Sequence, residues 1–190
     1  MAKVSNKSTD KRLEGNIEGS KIRANFTGEQ VFSNDEEAIN LYGKSRFGEM
    51  QEGKVFYSSV EALYLLEKKK LELYEGRKKL SFEKFIDILK KKDDRVQTKY
   101  IVFRDMRNRG YIVKTALKFG AEFRVYDKGV SPGEDHAKWI LYPVNENTGF
   151  TWHDFSAKNR VAHSTKKNLL IGIVDEEGDV TFYEISWVRP

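Results

Sequence analysis

Cysteine is absent from the 190-residue chain, and histidine occurs only three times. The first absence excludes disulfide scaffolds and thiolate zinc sites, and it fits a reducing interior. Long apolar runs are missing too. The stretch LLIGIV at 169–174 is far too short to cross a bilayer, and the leading MAKVSNKSTDKRLEG has no apolar segment of the secretory type. No internal repeat or low-complexity tract is present. The expectation is a soluble, cytoplasmic protein. Nor is charge of one sign concentrated anywhere: 34 Lys and Arg are interleaved with 29 Asp and Glu, for a net charge of +5. Such a surface suits a polyanionic partner without demanding one. What is present, 39% hydrophobic and 13% aromatic residues, is enough to bury a core.

Periodicity divides the chain into helices and short strands, after a polar, aperiodic lead-in over residues 1–18. KIRANF and QVFS flank the turn signal Thr27-Gly28 and read as strands. SNDEEAINLYG reads as a helix, with Ser33 and Glu36 at capping-box spacing and Gly43 as its C-terminal cap. GKVFYS is a strand, and SSVEALYLLEKKK is a helix opened by Ser58 and Glu61. The strand LELYEG and the helix SFEKFIDILKKKDD follow, the latter with Phe82, Phe85, Ile86 and Leu89 on one face. The lysine clusters at 68–70, 78–79 and 90–92 fall at helix ends and turns, where solvated cations complement the helix dipole. KKKDDR, near residues 92–96, is the candidate linker. Beyond it, RVQTKYIVFRDMRNRG is amphipathic through Val96, Tyr100, Phe103 and Met106, with Gly110 as its cap. The strands YIVK, EFRVY and AKWILYPV come next, then a helix through HDFSAKNRVAHST. NLLIGIV, the acidic turn DEEGD and VTFYEISWV close the chain. The fold class expected is α+β in two small modules. Residues 1–96 form a mixed helix and strand module, and residues 97–190 form a module with a central mixed sheet flanked by helices.

Three side chains at element ends carry chemistry. Tyr126 closes the strand EFRVY, His136 opens the strand after a Gly/Pro loop, and Lys167 stands at a helix-to-strand junction. Imidazole transfers protons near neutrality. A lysine places a point charge where negative charge develops. A phenol titrates near pH 10, and a neighbouring ammonium favours its ionised form. Metal-free RNA cleavage requires such a set: a base for the 2′-hydroxyl, an acid for the departing 5′-oxygen and a fixed cation for the phosphorane.

The words around these residues narrow the choice. RVYDKG, HAKWILYPV and RVAHSTKKNLLIGIVDEEGDVTFYEISW resemble the catalytic domain of the archaeal tRNA-intron splicing endonucleases. The resemblance extends upstream through YIVFRDMRNRGYIVKTALKFGAEF, covering residues 98–189, and more loosely through the first half. It implies a metal-independent, cofactor-free endonuclease acting on precursor tRNA. Such an enzyme cuts within a bulge-helix-bulge and leaves 2′,3′-cyclic phosphate and 5′-hydroxyl ends. It implies Tyr126 as general base, His136 as general acid and Lys167, rather than Lys166, as the charge stabiliser. Arg160, two helical turns before Lys167, is the RNA-binding candidate, since guanidinium planes stack on bases exposed in bulges. The resemblance further implies a homotetramer assembled through the C-terminal strand and the acidic loop, with Asp175, Glu176 and Asp179 as the assembly residues.

Two rival readings remain. One is a metal-dependent nuclease built on Glu134, Asp135 and His136 or on the EGK at 52–54, and the other is a non-catalytic subunit of the same family. Of the other histidines, His163 reads as a packing or capping residue, and His153 lies near a helix start.

Overall fold

The computed structural model describes residues 21–116, 120–130, 132–133 and 135–188. The polar lead-in over residues 1–18 lies outside them. The first half forms a six-stranded sheet from β1 (Ile22–Phe26), β2 (Val31–Ser33), β3 (Glu49–Gln51), β4 (Lys54–Tyr57), β5 (Leu71–Glu75) and β6 (Lys78–Leu80), in the order β3-β4-β2-β1-β5-β6. Three helices accompany it: α1 (Glu36–Ser45), α2 (Ser59–Glu67) and α3 (Phe82–Lys90). In the second half, α4 (Val96–Asn108) precedes a five-stranded sheet with the order β11-β10-β9-β8-β7. Its strands are β7 (Ile112–Thr115), β8 (Phe123–Tyr126), β9 (Trp139–Asn145), β10 (Asn168–Val174) and β11 (Val180–Ile185), and α5 (Trp152–Ser164) lies between β9 and β10. β9 and β10 run parallel and the other neighbours antiparallel, so this sheet is mixed. The α+β expectation holds.

Several local expectations change. Ser33 does not cap α1. It is fully buried at the end of β2, where its hydroxyl donates to the Arg23 carbonyl at 2.7 Å and accepts from the Asp35 N–H at 3.2 Å. Asp35 occupies the N-cap position, yet its carboxylate accepts from the Arg23 N–H across the sheet at 2.6 Å. Gly43 lies inside α1, which ends at Arg46 in the left-handed conformation. β3 and β6 were not anticipated: β3 pairs with β4 across a turn at Glu52 and Gly53, and β6 pairs with β5 through Lys78 and Lys79. By contrast Ser58 and Glu61 make a complete capping box at α2.

One apolar core runs through both halves. Leu63 of α2, Phe85 of α3, Phe103 of α4, and Val125 and Leu141 of the second sheet are buried in the same cluster. The rings of Tyr64 and Phe103 meet at 6.0 Å, and those of Phe103 and Phe123 at 5.9 Å. α4 presses one face of the second sheet at Gly172, where an added Cβ would lie 3.0 Å from Val102 Cγ1. On the other face α5 covers a smaller cluster containing Ile140, Tyr142, Ala162 and Leu169.

A charged cluster lies at the same seam. Lys114 of β7 donates to Glu61 Oε1 of α2 at 3.2 Å, to the Arg46 carbonyl at 3.0 Å and to the Gly48 carbonyl. Glu61 also accepts from the N–H groups of Gly48 and Ser58 and from the Ser58 hydroxyl. Gly48 has φ +75°, and a Cβ there would fall 2.4 Å from Val55 Cγ1, so only glycine fits. Nearby, the Arg107 guanidinium lies 3.8 Å from the Phe47 ring centroid and donates to the Ser45 carbonyl at 2.9 Å.

Candidate active site

Strand register brings distant residues into one row. Val125 pairs with Trp139, and Trp139 with Asn168. One step further along, the Lys138 N–H donates to the Val125 carbonyl at 2.9 Å and the Asn168 N–H to the Lys138 carbonyl at 3.1 Å. That continuation sets Tyr126 and Lys167 at the same end of the sheet. Because side chains alternate along a strand, Arg124 and Tyr126 share the face opposite Val125.

The position of Lys167 follows from how α5 ends. Lys166 adopts φ +56°, its N–H donates to the His163 carbonyl at 2.9 Å, and the Lys167 N–H donates to the Ala162 carbonyl at 2.9 Å. This pair of bonds is a Schellman motif, with a lysine in the left-handed position usually held by glycine. The motif turns the chain so that Lys167, rather than Lys166, enters the row of Tyr126, across β9 from it. The Lys167 ammonium donates to the Thr165 carbonyl at 2.7 Å.

His136 arrives differently. The sequence places it at the start of a strand, but β9 begins at Trp139, leaving His136 exposed in the preceding loop. Its backbone N–H donates to Asp135 Oδ1 at 2.6 Å, and an isolated bridge pairs Pro132 with Asp135. Gly133, Asp135 and His136 of this loop line the same cleft as Tyr126 at the end of β8. Glu134 lies outside the described residues.

The result is an open cleft of about 490 Å³ lined by Arg124, Tyr126, Gly133, Asp135, His136, Ala137 and Lys167. The three residues singled out for chemistry therefore share one depression. Among the described residues no hydrogen bond joins them to one another. Burial, and then the charge of Arg124, pull the Lys167 ammonium below the ordinary lysine range. The Arg124 guanidinium also lies 6.0 Å from the Tyr126 ring centroid. The phenol ring thus has beside it an arginine that motif reading passed over. Alternation along β8, two residues before Tyr126, was the signal that marked it. No three His, Asp or Glu side chains among the described residues gather closely enough to hold a metal ion.

Arg160 is not part of this cleft. It is exposed on α5 and borders a second hollow of about 560 Å³ with Phe155, His163 and Trp187. There the His163 and Trp187 rings meet edge to face at 4.2 Å, so His163 packs as expected. The acidic turn forms a tight hairpin: the Asp175 N–H donates to the Asp179 carbonyl at 3.1 Å, the Asp179 N–H to Asp175 Oδ1 at 2.8 Å, and Gly178 takes φ +85°. Glu176 and Asp179 are exposed at its tip. No described helix is long and apolar enough to cross a membrane.

Comparison with known proteins matches both halves of the chain. A family model described as tRNA intron endonuclease, catalytic C-terminal domain, covers residues 96–182. A second, tRNA intron endonuclease, N-terminal domain, covers residues 22–86. The chain is 46% identical to the tRNA-splicing endonuclease of Thermococcus onnurineus over 88% of its own length and 97% of that protein. It is 44% identical to the tRNA-splicing endonuclease of Methanothermobacter thermautotrophicus over 80% of its length and 89% of that protein. With the Nanoarchaeum equitans enzyme of the same name it shares 47% identity over 69% of its length and 88% of that protein.

Proposed function

The chain belongs to the tRNA intron endonuclease family, and from that premise we propose that it excises introns from precursor tRNA by metal-independent transesterification at a bulge-helix-bulge. Tyr126 takes the proton of the 2′-hydroxyl, and that oxygen attacks the adjacent phosphorus. His136 protonates the departing 5′-oxygen. Lys167 holds a non-bridging oxygen as charge builds on the phosphorane. The products are a 2′,3′-cyclic phosphate and a 5′-hydroxyl. The observation that carries this reading is the single cleft lined by a phenol, an imidazole and an ammonium. Arg160 lies outside that cleft and is assigned to a bulge base, on which its guanidinium plane stacks. Residues 1–96 are read as the supporting module and 97–190 as the catalytic one.

The test is cleavage of a bulge-helix-bulge precursor by the purified chain in excess chelator. The expected result is undiminished cutting in both bulges with cyclic phosphate ends. Activity that vanishes with the chelator and returns with a divalent cation would favour the metal-dependent alternative. A chain that binds the precursor but never cuts it would be a non-catalytic subunit.

The proposed assembly is a homotetramer. Its support is that β11 is a sheet edge with an open row of backbone groups. Tyr183, Trp187 and Val188 also present apolar surface at that edge, 55%, 56% and 73% exposed. The acidic turn offers charge to a basic surface on a second copy. Reversing Asp175, Glu176 and Asp179 to lysine is expected to shift the protein toward smaller species in light scattering, with the shift depending on salt. A monomeric unmodified chain would remove the assembly proposal and leave the chemistry standing.

A further inference from the structure

The cleft contains a second cation that the mechanism above leaves without a role. Arg124 lines it from β8, two residues before Tyr126 on the same face of the sheet. The side chain is half-buried, and its Nε is enclosed without a hydrogen-bond partner among the described residues. Among the described residues no carboxylate lies within ion-pair distance of its guanidinium. Asp135, the one described carboxylate in the cleft, has Oδ1 engaged by the His136 N–H. Arg124 shares the cleft with a second cation, Lys167, whose proton affinity is lowered first by burial and then by the charge of Arg124. An arginine and a lysine that share a cleft with no counter-ion among the described residues form a site for an anion, and a planar guanidinium fork matches the oxygens of a phosphate.

We propose that Arg124 is a phosphate-binding catalytic residue that shares the non-bridging oxygens of the scissile phosphate with Lys167. This rests on the reading of the cleft as the place of RNA cleavage. The two cations act in different ways. Lys167, at the row of Tyr126, meets the phosphate as a point charge, while Arg124, one row deeper, fixes its orientation through paired N–H groups. Each also stabilises the extra negative charge that the phosphorane acquires, so removing either slows the chemical step more than it weakens binding.

The experiment compares the wild-type chain with Arg124→Ala and Arg124→Lys. Three readouts are taken: single-turnover cleavage of a bulge-helix-bulge precursor, affinity for the same RNA carrying 2′-deoxynucleotides at both cut positions, and thermal melting. Arg124→Ala is expected to lower the cleavage rate about 10²-fold, the scale of losing one donor to a developing oxyanion. Its affinity for the uncleavable RNA should fall by less than about tenfold, since the same contact is weaker in the ground state. Arg124→Lys should recover part of the rate, and millimolar guanidinium ion should partly rescue Arg124→Ala where equal sodium chloride does not. Wild-type rate in Arg124→Ala overturns the assignment. So does a loss that tracks a lowered melting temperature and ignores both lysine and guanidinium, which marks a packing role. If the wild-type chain binds the precursor without cutting it, the nuclease reading fails separately. Arg124 is then judged on the uncleavable RNA, and equal affinity of wild type and Arg124→Ala overturns the phosphate contact.

Discussion

Replacing His136 with alanine is expected to lower single-turnover cleavage by about 10²- to 10⁴-fold, the usual contribution of a positioned proton donor. The 5′-oxygen leaves as an alkoxide unless it is protonated, so loss of the acid raises the barrier at the step that completes each cut. Folding should be nearly untouched. His136 is exposed in the loop before β9, and its one described hydrogen bond, from its backbone N–H to Asp135 Oδ1, is one that alanine preserves. Affinity for a precursor blocked by 2′-deoxynucleotides should therefore match wild type, as should the melting curve. A variant that cuts within a few-fold of the wild-type rate would take His136 out of the mechanism and leave the proton to water or to another group. Loss of affinity in proportion to rate would make it a binding residue instead.

Lys114→Met is expected to be the most destabilising single change outside the apolar core. Lys114 and Glu61 have side chains 6% exposed each, and they join β7 of the second sheet to α2 and the Gly48 turn of the first half. Removing the ammonium strands the Glu61 carboxylate in the interior and leaves the Arg46 and Gly48 carbonyls without this donor. Breaking a buried pair in this way costs about 3–5 kcal/mol. For a chain of this size that is a fall of about 10 °C in melting temperature. Neutralising both partners, as Glu61→Gln with Lys114→Met, should return much of the loss, because no charge is then left unpaired. Denaturant melts of the two variants and the wild type measure this directly. A single variant within about 1 kcal/mol of wild type would mean that water reaches Glu61 and that the seam is held by its apolar contacts alone.

The two capping signals show what local patterning can and cannot decide. Ser58 and Glu61 form the box that their spacing announces, because both partners belong to the same first turn. Ser33 and Glu36 have the same spacing, but Ser33 ends β2 beside β1, and its hydroxyl is taken by the Arg23 carbonyl. A cross-strand partner at sequence separation 12 takes Asp35 in the same way. Glycine is similarly ambiguous. Gly110 ends α4 with φ +90°, whereas Gly43 continues α1, and Arg46 and Lys166 take the left-handed positions that glycine would have filled.

The amino-acid order alone determined the α+β class, the amphipathic faces of α3 and α4, the family resemblance and the choice of Tyr126, His136 and Lys167. Each of these is written in short-range periodicity or in contiguous words of sequence. Only the tertiary structure decided that the phenol, the imidazole and the ammonium line one cleft, that Arg124 joins them, and that Arg160 stands elsewhere. Those outcomes depend on strand register between β8, β9 and β10, on the left-handed turn at Lys166 and on where the loop before β9 sets His136. Register is set by which faces the core buries, and that pairing between distant segments is not expressed in the spacing of neighbouring residues.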